Sequence, residues 1–175
     1  AGRVPIKEED LTVAEVLQDK GYHTGMIGKW GLGEPNTSGE PNQKGFDYFY
    51  GFYNQRRAHM YYPEYLWENT QKIILHGNEK EQRHQYTHNL FADKAINFID
   101  RNHQKPFFLY LPVCIPHSRY ELPDNGIYTY KKGWTEKQKK YAAMVTRLDE
   151  TVGRIVQRLE ALGIANNTYI FFTSD

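Results

Sequence analysis

The chain has 175 residues, 39% of them hydrophobic, and 22 basic against 21 acidic side chains give a formal net charge of +1. That length suits one domain, no apolar run approaches the roughly 20 residues that span a bilayer, and the charge balance leaves no basic footprint for nucleic acid. The single cysteine, Cys114, excludes an internal disulfide and a Cys-based zinc site.

Residues 1–10 are polar and charged and do not read as a signal peptide. Thr12-Val13-Ala14-Glu15 fits a capping box, Thr12 as N-cap and Glu15 at N3, which predicts a first helix over 13–20 closed by Gly21. A short strand over 22–27 leads into Gly28-Lys29-Trp30-Gly31-Leu32-Gly33. Three glycines let this backbone turn sharply and approach a ligand. Its lysine either faces an anion or is merely solvated. Residues 34–44 read as loop. The stretch 45–67 carries many aromatics among Arg57, His59 and Gln55 but shows no clean period. It suits sugar stacking or anion contact, and equally a tyrosine-rich wall packed on the core. Arg57 and His59 are held as candidate site residues, and 65–77 reads as a small hairpin or excursion.

Thr87 opens a second helix whose apolar stripe runs through Leu90, Phe91, Ala95, Phe98 and Ile99. Phe107-Phe108-Leu109-Tyr110-Leu111 has no alternation, the pattern of a strand buried on both faces. Pro116-His117 follows it closely. Thr135-Glu136-Lys137-Gln138 is a second capping box, opening a helix over 136–162 that Gly163 closes. Tyr169-Ile170-Phe171-Phe172 reads as another buried-type strand, ending at Asp175.

Helix and strand therefore alternate, which predicts an α/β fold with a parallel sheet. In open sheets of this kind ligands collect at the C-terminal edge of the strands. Lys29, His117 and Asp175 each follow a predicted strand. Lysine and histidine suit a tetrahedral oxyanion, and a strand-end aspartate suits a hard divalent cation.

The same residues resemble a known family. Residues 22–33, from Tyr22-His23-Thr24 to Gly31-Leu32-Gly33, resemble the second signature of the type I sulfatases, and Gly45-Phe46-Asp47 resembles the Gly-Phe-Asp that follows it. Lys105-Pro106 with the strand 107–111 and Pro116-His117 resembles their later strand and its histidine. Phe171-Phe172-Thr173-Ser174-Asp175 resembles the strand that brings a calcium-binding aspartate. The resemblance implies an alkaline-phosphatase-like α/β sandwich, present in part, with 1–175 as a single partial catalytic domain truncated at both ends. It implies a sulfuric ester hydrolase acting on a sulfated carbohydrate or aryl sulfate. Lys29 and His117 would bind the sulfate and act in catalysis, Arg57 and His59 would contact substrate, and Asp175 would bind Ca²⁺. A formylglycine nucleophile is expected upstream of this segment. Members of this family work in the periplasm, outside the cell or in lysosomes.

The chain also departs from the pattern. Gly31 stands where the family often has histidine, a role that His59 or His23 could fill. Cys114-Ile115-Pro116-His117-Ser118-Arg119 imitates the C/S-x-P-S-R nucleophile motif with one residue too many, and is read as a decoy. Two other functions fit parts of the sequence: a phosphate-ester hydrolase of the same superfamily, and a non-catalytic carbohydrate-binding domain built on the aromatic stretch.

Overall fold

A computed structural model describes residues 4–174. Five strands form one sheet: β1 (His23–Lys29), β2 (Tyr48–Phe52), β3 (Tyr65–Glu68), β4 (Gln71–Ile74) and β5 (Phe107–Tyr110), in the order β4-β3-β2-β1-β5. The central strand β1 pairs in parallel with β2 on one side and β5 on the other. β3 and β4 form an antiparallel hairpin that extends the sheet beyond β2. The sheet is thus parallel at its centre, as expected, and antiparallel at one margin.

Helices α1 (Val13–Asp19) and α3 (Glu136–Ala161) start where their capping boxes predict. The Thr12 hydroxyl accepts from the Glu15 N–H, and the Thr135 hydroxyl accepts from the Gln138 N–H. Each box supplies acceptors to N–H groups that the first helical turn leaves without partners. Helix α2 (Thr87–Asn102) buries Phe91, Ala95, Phe98 and Ile99, most of its predicted stripe.

β1 is buried on both faces because its neighbours alternate between two cores. Met26 packs with Ala14, Phe46 and Phe49 on the α1 side. Ile27 packs with Phe91, Ala95 and Phe98 on the α2 side. α3 lies against α2, held by the ion pairs Arg154–Asp93 (2.8 Å) and Arg158–Asp100 (2.5 Å). Gly45-Phe46-Asp47 ties down the start of β1. The Asp47 carboxylate accepts from the Thr24 N–H (2.9 Å), and Thr24 donates its hydroxyl to the Gly45 carbonyl (2.6 Å).

Two predicted elements differ. β2 lies inside the aromatic stretch, where no strand is expected: Phe49, Tyr50, Gly51 and Phe52 are all buried, so no alternation marks it. Residues 169–172, expected as a buried strand, form none, and Tyr169 and Phe171 are about nine-tenths exposed. A strand needs an edge to pair with, and among the described residues none pairs with this segment.

Candidate active site

Parallel pairing delivers the chain ends of β1, β2 and β5 to one edge. Lys29 closes β1 opposite Phe52, the last residue of β2. Its N–H donates to the carbonyl of Pro112, just beyond β5 (2.8 Å). Gly28 permits this approach. Its φ is +133°, and a Cβ there would lie 2.2 Å from the Pro112 carbonyl oxygen, so any side chain would push the segment after β5 away from Lys29. Beyond β1 the turn is fastened to β2: the Trp30 and Gly31 N–H groups donate to the carbonyls of Phe52 and Tyr53 (2.9 Å each).

His59 ends a 3₁₀ turn, Arg57–His59, and meets His117 across the edge with ring centroids 4.4 Å apart. Burial holds the His59 imidazole below its usual range, helped by the positive fields of His117, Lys29 and Arg119. Among the described residues the charges that act on His59 are cationic, a field that favours an anion. His117 itself is exposed, and its Nδ1 lies 3.0 Å from the Ser118 hydroxyl.

The loop that carries His117 is clamped from beneath. Tyr61 is fully buried, and its hydroxyl donates to the His117 carbonyl (3.2 Å) and lies 3.5 Å from the Cys114 carbonyl. Burial pushes the Cys114 thiol up to about 12, against the pull of Lys29.

The structure brings Lys29, His59 and His117 into one field and adds Arg119, which the sequence reading passed over. Arg119 and Tyr120 both hold positive φ, +81° and +36°. Arg57 shares the turn of His59 but lies over the Tyr65 ring (4.0 Å to its centroid), in an adjoining cleft. Gly31 has φ +93°, and a Cβ there would meet Gln55 Cγ at 2.5 Å. Gln55 therefore covers the space into which a side chain at 31 would project. His23 cannot serve there: it starts β1, six residues and about 20 Å of strand from Lys29. Asp175 lies outside the described residues. Among the described residues no group of three or more His, Cys, Asp or Glu side chains could hold a metal, and no helix is long and apolar enough to cross a membrane.

The sulfatase family profile matches residues 3–175, nearly the whole chain. The chain belongs to the sulfatase family. It is 33% identical to the arylsulfatase of Hemicentrotus pulcherrimus, over 97% of this chain and 32% of that one. It is 31% identical to the N-acetylgalactosamine-6-sulfatase of Mus musculus, over 99% of this chain and 34% of that one. Among solved structures it is similar to Ps i-CgsB in complex with k-i-k-neocarrahexaose, with TM-score 0.75 and 25% identity over 93% of this chain and 39% of that one. The alkaline-phosphatase-like α/β fold expected from the sequence is thereby shown. This sulfatase-family chain spans about a third of the length of the curated relatives it matches.

Proposed function

We propose that the protein of which this chain is a part hydrolyses sulfate esters of a sulfated carbohydrate, and that 1–175 forms part of its catalytic domain. The observation that carries the reading is the convergence of Lys29, His59 and His117 at the C-terminal edge of the parallel strands, where the charges acting on His59 among the described residues are cationic. In the overall reaction the ester S–O bond breaks, the alkoxide leaving group takes up a proton, and sulfate gains the oxygen of water. The Lys29 ammonium holds a sulfate oxygen and offsets the charge that gathers as the bond breaks. His117, exposed at the mouth, holds the sulfate or gives the proton to the departing alcohol. His59, its pKa lowered by burial and by the neighbouring cations, packs against the His117 ring and helps to orient it.

Sulfated carbohydrate as the substrate class is supported by the relatives: one is named for N-acetylgalactosamine-6-sulfate chemistry, and a solved neighbour holds a carrahexaose. Calcium, with Asp175 among its ligands, and a formylglycine nucleophile belong to the same proposal. When bound, the ion would neutralise oxyanion charge. The described residues do not assemble its ligand set. The protein would act in the periplasm, in a lysosome or outside the cell.

The test compares 4-nitrophenyl sulfate with 4-nitrophenyl phosphate as substrates of the full-length protein. Faster sulfate release is expected, and Lys29→Ala or His117→Ala should lower kcat by about 10²–10³, the effect of removing one charge-stabilising donor. Preferred turnover of the phosphate would overturn the reading in favour of a phosphate-ester hydrolase.

A further inference from the structure

A second cleft opens beside the cationic cluster. It encloses about 330 Å³ of space, part of it open to solvent, between Glu34, Asn54, Arg57, Tyr53, Tyr65 and Trp67. Its enclosed part is only about 70 Å³, well under the roughly 300–1,000 Å³ of deep small-molecule sites, so a ligand would lie across its mouth. The two sites share their framework. Arg57 and His59 belong to one 3₁₀ turn, about 4 Å apart along its axis, and the Gly31 N–H holds the Tyr53 carbonyl.

The lining is built from two kinds of group. Strand alternation sends Tyr65 and Trp67 to one face of β3 while Leu66 enters the core on the other. Trp67 is half-buried and stands nearly perpendicular to both Tyr53 (86°) and Tyr65 (83°), so neither ring lies flat on the indole. Tyr65 has a different task. Arg57 Cζ sits 4.0 Å from its centroid and Lys72 Nζ 3.8 Å, so this ring supports the guanidinium. The polar groups are equally fixed. The Asn54 amide donates to Glu34 Oε1, while its Oδ1 accepts from the Arg56 N–H (2.8 Å). A carboxylate and a guanidinium therefore line one cleft, yet no ion pair joins Glu34 to Arg57, and Arg57 Nε is buried with no hydrogen-bond partner. A positioned acceptor and a positioned planar donor beside an aromatic face match a pyranose ring: its hydroxyls donate to the carboxylate and accept from the guanidinium, and its C–H face lies on the indole.

We propose that this cleft is a glycan subsite that takes the sugar next to the sulfated one, Glu34 and Arg57 reading its hydroxyls and Trp67 its apolar face. The inference rests on the sulfatase reading for its place in the substrate, though not for its ligand class.

The full-length protein is titrated by calorimetry with tetrasaccharides from carrageenan, chondroitin sulfate and heparan sulfate, each also in desulfated form, while 4-nitrophenyl sulfate turnover is followed in parallel. At least one tetrasaccharide series should bind. Glu34→Gln and Arg57→Gln, close in shape to the native side chains, should weaken that binding roughly 10- to 100-fold, the loss of one hydrogen bond to a charged group. Trp67→Ala should weaken it further. Glu34→Gln and Trp67→Ala should leave 4-nitrophenyl sulfate turnover within about twofold, since that substrate has no second sugar. Failure of every tetrasaccharide to bind, or unchanged binding in Glu34→Gln and Arg57→Gln, would overturn the subsite whatever happens to the aryl sulfate. Absence of aryl sulfate and tetrasaccharide hydrolysis, with cleft-dependent binding intact, would instead overturn the sulfatase reading and leave the subsite standing.

Discussion

Two histidine environments in this protein look alike electrostatically and differ in what surrounds the rings. At the strand edge, His59 is held down by burial and by the neighbouring cations. Between α2 and α3, His88 is pushed down further, to about 4, again by burial first, with Arg147 and Arg154 adding to it. The difference lies in their partners. His88 Nε2 lies 2.9 Å from the Thr151 hydroxyl and 3.2 Å from the Arg147 carbonyl, and the residue is 3% exposed. The His59 ring faces another imidazole at the mouth of a strand edge. A perturbed imidazole is therefore no marker of function by itself. What separates site from scaffold here is the setting: His88 is sealed between two helices with Nε2 engaged and Nδ1 buried without a partner, whereas the His59 ring faces His117 at the strand edge.

The largest expected effects test that contrast directly. In the full-length protein, Lys29→Ala and His117→Ala should lower kcat by about 10²–10³, and for His117, which is exposed, melting should stay nearly unchanged. His88→Gln should do the reverse: turnover persists and thermal stability changes. Lost activity with an unchanged melting curve in His88→Gln would erase the distinction.

The next effect is a pH dependence of stability. The folded value of His88 lies below that of the unfolded chain, so between about pH 4 and pH 6.5 the unfolded state binds the extra proton. Stability should be highest above pH 6.5 on this account and fall by up to about 3 kcal/mol as the pH drops to 4. Urea unfolding across that window measures the slope. His88→Gln should flatten it, and an unchanged slope would mean that another group titrates there.

The parts of this arrangement that were legible in the sequence are those fixed by local chemistry. Two capping boxes placed the starts of α1 and α3 at the residue, and the apolar run at 107 marked β5. Lys29 and His117 stood out because each follows a strand, and a strand's end is a local signal. β2 escaped because burial on both faces removes the alternation that would announce it. The run 169–172 differs for another reason: an apolar pattern states that a partner is needed and does not supply one. Within the site, Tyr61, Gln55 and Arg119 were hidden because their roles depend on contacts between loops distant in sequence. Tyr61 reaches a carbonyl 56 residues away. Glu34, Asn54 and Arg57 converge only once β2 and the turn after β1 are fastened together.

The smallest effect is the sharpest test of how the edge is built. Tyr61 touches the site only through the backbone of the His117 loop, so it is a positioning residue. Tyr61→Phe keeps the buried ring and removes the donor to the His117 carbonyl, a loss of about 1 kcal/mol if the loop stays in place. If the hydroxyl also aims His117, kcat should fall by up to about tenfold, since small displacements of a positioned group are costly. The fall should be larger for a sugar sulfate, whose alkoxide needs a proton to leave, than for 4-nitrophenyl sulfate, whose phenolate leaves readily. A merely structural hydroxyl would lower melting and leave the two substrates equally affected. A unequal loss with melting shifted by only a few degrees would place Tyr61 among the residues that set the geometry of proton transfer, and would identify His117 as the proton donor.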